Sequence, residues 1–136
     1  MGTYNSSYVF ILIVLVIVLL ESKTVLGGRY HVYVINDLGK NIILYVHCKS
    51  KDDDLGKHWL KFGADFNWSF KINHFYTTLF YCDLSWGKTK GHFDIFVAGR
   101  DWGECGHENI CYWRAKKDGL YRYNAKGEFD ERMFKW

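Results

Sequence analysis

Chemistry in this chain would have to come from four cysteines, six histidines, three consecutive aspartates and a glycosylation sequon. The cysteines, Cys48, Cys82, Cys105 and Cys111, are the strongest signal. Four cysteines allow three pairings. Cys105 and Cys111 flank a short loop and can close it as a clasp, and Cys48 and Cys82 then pair from the middle of two apolar runs. In the chain-entropy model the short ring contributes roughly 2 kcal/mol and the long one about 4 kcal/mol. Cys105-Gly106-His107 with Cys111 matches no common zinc spacing, and an exported thiol pair oxidises, so no metal is expected.

The remaining reactive types form no recognisable machinery. Asp52, Asp53 and Asp54 are consecutive, whereas a calcium loop alternates its ligands so that they converge; they read as a solvated charged turn. His31, His47, His58, His74, His92 and His107 are scattered singly, none beside a Ser or Cys nucleophile in a motif. Ser50 follows a cysteine without a G-x-S-x-G turn. The expectation is a protein that is not an enzyme and holds no cofactor. Asn67-Trp68-Ser69 is a glycosylation sequon whose Asn falls on the polar face of its strand.

These residues need a frame, and the frame begins after an export signal. Val9 to Leu20 is an unbroken apolar run, the length of a signal-peptide core and short of the roughly 20 residues a membrane span needs. Small residues at Gly27 and Gly28 suit cleavage, so residues 1–28 read as a cleaved signal peptide, and the sequon-like Asn5-Ser6-Ser7 lies inside it. Residues 29–136 suffice for one domain without further membrane insertion. A net charge of +3 survives the cut, because Glu21 and Lys23 cancel; it is too small for a nucleic-acid footprint.

Short β-branched and aromatic runs separated by Gly, Asn and Asp organise that domain. Tyr30 to Asn36 alternates, with Val32 and Val34 on one face. Asp37 to Lys40 has a turn's composition, and Asn41 to Lys49 follows, so these two strands are expected to form a hairpin. In Asn41 to Lys49 the even-numbered set ending at Cys48 is the core face. His58 to Phe62, Phe66 to Ile72, Thr77 to Trp86, His92 to Ala98, Cys111 to Lys116 and Leu120 to Asn124 complete about eight strands. Gly99 to Asn109 reads as loop, and Asp118-Gly119 as a tight hairpin turn. The expected fold is all-β, an antiparallel β-sandwich with two disulfides. Proline is absent, and lysines near strand ends discourage edge pairing. Phe66, Phe70, Phe93 and Trp113 occupy inward phases, so most aromatics are read as core.

The runs VHCKSKDDDLG from Val46, WSF at Trp68, FYCDLSW from Phe80 and GHFDIFVA from Gly91 add up to more than periodicity. With Cys105, Cys111-Tyr112-Trp113 and Asp118-Gly119-Leu120-Tyr121, they resemble the plant self-incompatibility S1 family, the S-protein homologues. The resemblance covers nearly all of the chain from Tyr30 onward. It implies a small, secreted, cysteine-paired β-sandwich, with founding members that act as stigma ligands of a pollen membrane receptor in rejecting self pollen. On that basis the expected function is an extracellular ligand, a monomer, bound through its loops by a cell-surface receptor. The expected contact residues are Lys51, Asp52, Asp53, Asp54, Lys57, Arg100, Asp101 and Glu104, with the turn at Gly87 to Gly91 a further candidate loop. A secreted defence protein or enzyme inhibitor would share the scaffold. A sugar-binding module would need exposed aromatics in a row, and burial of Trp59, Trp86 and Trp102 would remove it.

Overall fold

Alternating side chains close into a two-layer β structure in the computed structural model, which describes residues 5–26, 28–105 and 107–136. A helix α1 (Ser6–Leu26) carries the apolar run and precedes the domain. Of the two glycines that suit signal cleavage, Gly27 lies outside the described residues.

The strands are β1 (Tyr30–Asn36), β2 (Leu44–Lys49), β3 (Asp54–Leu60), β4 (Asp65–Phe70), β5 (Leu79–Trp86), β6 (Thr89–Val97), β7 (Ile110–Lys116), β8 (Gly119–Asn124) and β9 (Phe129–Phe134), with a one-turn helix α2 (Ala98–Asp101) after β6. Sheet A runs β4-β1-β7-β8-β9 and sheet B runs β3-β2-β5-β6. Every pair is antiparallel except β1 with β7, which run parallel. Among the described residues there are therefore nine strands rather than eight, and the antiparallel rule has one exception.

The expected β1–β2 hairpin does not form: β1 sits in sheet A and β2 in sheet B. The reason lies in Asn36, fully buried at the end of β1. Its amide Nδ2 donates to Ile42 O at 2.7 Å and Leu60 O at 2.8 Å, and its Oδ1 accepts from Leu38 N at 3.0 Å. A buried amide satisfied in this way fixes a crossover between layers, which Leu38 then plugs from inside.

The core lies between the sheets, and strand periodicity fills it. β1 and β2 each alternate buried with half-buried positions. Val32, Val34, Leu44, Val46, Cys48 and Trp113 are fully buried. Phe70 and Phe93 are buried as well, and Phe66 packs half-buried against the core with its ring stacked on Trp68. Cys48 bonds to Cys82, its direct partner across the β2–β5 pair, and Cys105 bonds to Cys111.

Candidate functional site

Register decides which loops share an end of the sandwich. In sheet B, Lys49 faces Tyr81 and Leu79 faces Val97, so the 50–53 turn and α2 leave at the same end. In sheet A, Tyr30 faces Phe70 and His31 faces Ile110, which brings the 71–78 loop and the start of β7 there too. The Tyr30 and Phe70 rings reach across the layers to Phe96, at 5.2 and 4.7 Å. Two of the three expected loops thus share an end of the sandwich. The third, the turn between β5 and β6, lies at the opposite end, beyond the Trp86–Thr89 pair.

Lys51, Asp52 and Asp53 are exposed on their turn, which Ser50 closes: Ser50 N donates to Asp53 O at 2.8 Å and Asp53 N to Ser50 Oγ at 3.1 Å. Asp54 and Lys57 are exposed but belong to β3, which begins four residues before the expected His58. The Asp54 carboxylate accepts from Gly56 N at 2.9 Å and lies 2.7 Å from His47 Nε2. The Gly56 amide first, then His47, holds its pKa below the ordinary 3.8. Asn67 is exposed on the edge strand β4, its Nδ2 donating to Asp65 at 2.7 Å, while Trp68 beside it faces the core.

Asp101 overturns the sequence expectation, because it is fully buried and displays nothing. Its carboxylate accepts from Val97 N at 2.8 Å, from Arg100 Nε at 2.8 Å and from Arg122 of β8. Arg122 is itself buried, and its other terminal nitrogen lies 3.6 Å from Glu104. Arg100 is half-buried, donates to Asp94 O at 2.9 Å and lies over the Trp113 ring at 5.7 Å. The segment 98–104 is therefore clamped to sheet A by a charge pair closed off from water. A charge without a partner there would be very costly, so the clamp fixes where the loop sits. Of the residues expected at this loop, only Glu104 is exposed, and it also approaches Lys126 at 4.0 Å.

Beside the clamp stands a group that sequence reasoning missed. Phe75 is 86% exposed, and Tyr76 and Trp102 are also exposed, their rings in edge contact at 6.3 Å. The loops that carry them are held firmly. Asn73 accepts from Thr77 N through Oδ1, donates to Thr77 Oγ1 through Nδ2, and donates its backbone N–H to Thr78 Oγ1, each at 2.9 Å. Ala98 N donates to Thr78 O at 3.0 Å, joining this loop to α2. Tyr76 takes a φ of 55°, a left-handed conformation rare for an aromatic residue and retained here by the surrounding bonds. Tyr30, beneath, has its phenol pKa raised by burial, with the Gly103 backbone opposing. The Cys105–Cys111 bond closes the far side of the loop. The legible signal was an aromatic pair, Phe75-Tyr76, inside a polar, strand-poor stretch.

Among the described residues no group of three or more His, Cys, Asp or Glu could hold a metal ion. What the end exposes is a set of aromatic and charged side chains. Fold and site together define a disulfide-stapled β-sandwich with the 50–53, 71–78 and 98–105 segments at one end. The chain belongs to the plant self-incompatibility protein S1 family, whose model matches residues 31–136. It is 42% identical over 106 residues to S-protein homolog 24 of Arabidopsis thaliana, covering 76% of this chain and 67% of that protein. To S-protein homolog 6 of Arabidopsis thaliana it is 39% identical over 111 residues, covering 81% and 78%. Its fold is similar, with a TM-score of 0.62 at 20% identity over 80% of this chain and 95% of the other, to a solved self-incompatibility protein homologue. That homologue is described as one of a widespread family of small, highly stable, secreted plant proteins.

Proposed function

We propose that this protein is a secreted plant signalling ligand of the S-protein homologue type, recognised at its loop-bearing end by a cell-surface receptor. Residues 1–28 direct export and are removed; residues 29–136 act outside the cell as a monomer, without catalysis, and Asn67 is glycosylated on the way out. The observation that carries the reading is the exposed trio Phe75, Tyr76 and Trp102 at the same end of the sandwich as the charged turn Lys51–Asp53, with the Tyr76 and Trp102 rings in edge contact. Exposed aromatics are the residue types that dominate protein–protein binding energy, and a loop backbone already tied by the Asn73, Thr77 and Thr78 bonds loses little entropy on contact. The charged turn would add specificity and speed of encounter.

The test uses the full-length chain expressed in plant cells and collected from the medium, then labelled and applied to protoplasts and growing pollen tubes. Saturable surface binding is expected, weakened about tenfold or more by Phe75→Ala with Trp102→Ala at an unchanged melting temperature. A chain that never reaches the medium overturns export. Binding that survives both the aromatic double variant and neutralisation of Lys51, Asp52 and Asp53 overturns the loop-end reading.

A further inference from the structure

The outer face of sheet B carries side chains that recognition at the loop end leaves unused. Trp59 is 65% exposed on β3, an uncommon setting for so large a side chain in a regular strand. Its cross-strand partner is Tyr45 of β2, whose ring lies 5.5 Å away and is tilted by 56°. The same row continues through Ser85 of β5 to Lys90 of β6. In the next row Asp83 faces His92, with Asp83 Oδ1 2.7 Å from His92 Nδ1. Tyr45, Asp83, Ser85, Lys90 and His92 line a depression of about 460 Å³. This row neighbours the β5–β6 turn, so the depression lies toward the end of the sandwich opposite Phe75 and Trp102.

The chemistry of the lining selects the occupant. The aromatic wall of the lining is Tyr45, with Trp59 next to it outside the depression, and the rest mixes an acceptor (Asp83), a donor (Lys90) and two groups able to do either (Ser85 and His92). An anionic polymer would meet Asp83 and a cationic one Lys90, so neither sign fits throughout. A peptide added as a strand would seek a sheet edge rather than a face. A pyranose ring has the complementary build, with an apolar C–H face and hydroxyls that donate and accept around its rim. We propose that this depression binds a neutral oligosaccharide, one ring lying against Tyr45 and Trp59 while its hydroxyls meet Asp83, Ser85, Lys90 and His92. An occupied depression leaves the loop end free, so the protein could rest on a glycan and still meet its receptor.

The experiment titrates the secreted, isotopically labelled chain with cello-, xylo-, manno- and β-1,3-gluco-hexaoses, reading backbone amide shifts and tryptophan fluorescence. The expected result is saturable shifts centred on Tyr45, Ser85 and His92 with at least one of them. Trp59→Ala and Tyr45→Ala should each weaken binding about tenfold or more, the scale at which aromatic stacking platforms respond to truncation. Asp83→Asn should weaken it without moving the fluorescence maximum. Trp59 is exposed on an edge strand, so its variant reports even if Tyr45→Ala perturbs folding. No saturable shift with any hexaose up to its solubility limit overturns the proposal. So does binding that ignores Trp59→Ala, or, in a parallel titration with polygalacturonate, binding confined to that polymer and abolished by salt, which would mark an anionic polymer instead.

Discussion

Asp101→Asn keeps the shape of the side chain and deletes its charge. The guanidinium of Arg122 then stays buried with only Glu104, 3.6 Å away and half-exposed, to answer it. Breaking a buried ion pair by removing one partner costs roughly 3–5 kcal/mol. A domain of this size holds only about 5–15 kcal/mol in total. The melting temperature should therefore fall on the order of 10–20 °C. Thermal unfolding followed by circular dichroism under non-reducing conditions measures it, since neither disulfide is touched. Glu104→Gln is the control: Glu104 is itself half-exposed, 3.6 Å from Arg122 and 4.0 Å from the exposed Lys126, so a loss below about 1 kcal/mol is expected. A variant that melts within about 3 °C of the parent would refute the clamp, because that shift is worth less than about 1 kcal/mol. A loss of the proposed cell-surface binding at unchanged stability would go further and return Asp101 to the role of a contact residue.

Cys48→Ala with Cys82→Ala should cost about 4 kcal/mol of stability, whereas Asp52→Asn with Asp53→Asn should change it by less than about 0.5 kcal/mol; denaturant midpoints of the two variants test the division of that segment into frame and display. The lowered Asp54 pKa has a signed consequence. Its contribution is present above 3.8, where the carboxylate is ionised in both states, and is lost as pH falls through the lower folded value. Stability measured on both sides of 3.8 should show an acid limb that is shallower in Asp54→Asn, and identical limbs would discount the Gly56 and His47 contacts.

Strand positions were legible wherever one face was buried, because alternation is then forced: β1 matches its expected bounds, and the even face of β2 is the core face. Sheet membership was not. The composition of Asp37 to Lys40 says that the chain turns, not that Asn36 turns it into the other layer through bonds to Ile42 and Leu60. β9 escaped notice because Phe129–Phe134 is partly exposed on both faces, so FDERMF shows no alternation to read. Asp101 was misjudged for a related reason. A charge between Arg100 and Trp102 looks solvated, and the arginine that buries it arrives only with β8. Phe75 and Tyr76 were missed from the opposite side, since aromatics in a β protein are ordinarily core and only the folded loop turns these two outward.

The parallel pairing of β1 with β7 bears on how the chain reaches this state. Sheet B can begin from local hairpins, since β2 meets β3 and β5 meets β6 across short turns. β1 has no such neighbour: it pairs only with β4 and with β7, the latter separated from it by most of the domain. Pairings between distant segments close slowly, because the intervening chain must be gathered first. The first strand made is thus among the last to be satisfied. Until β7 is available, its apolar Val32 and Val34 are open to misassociation.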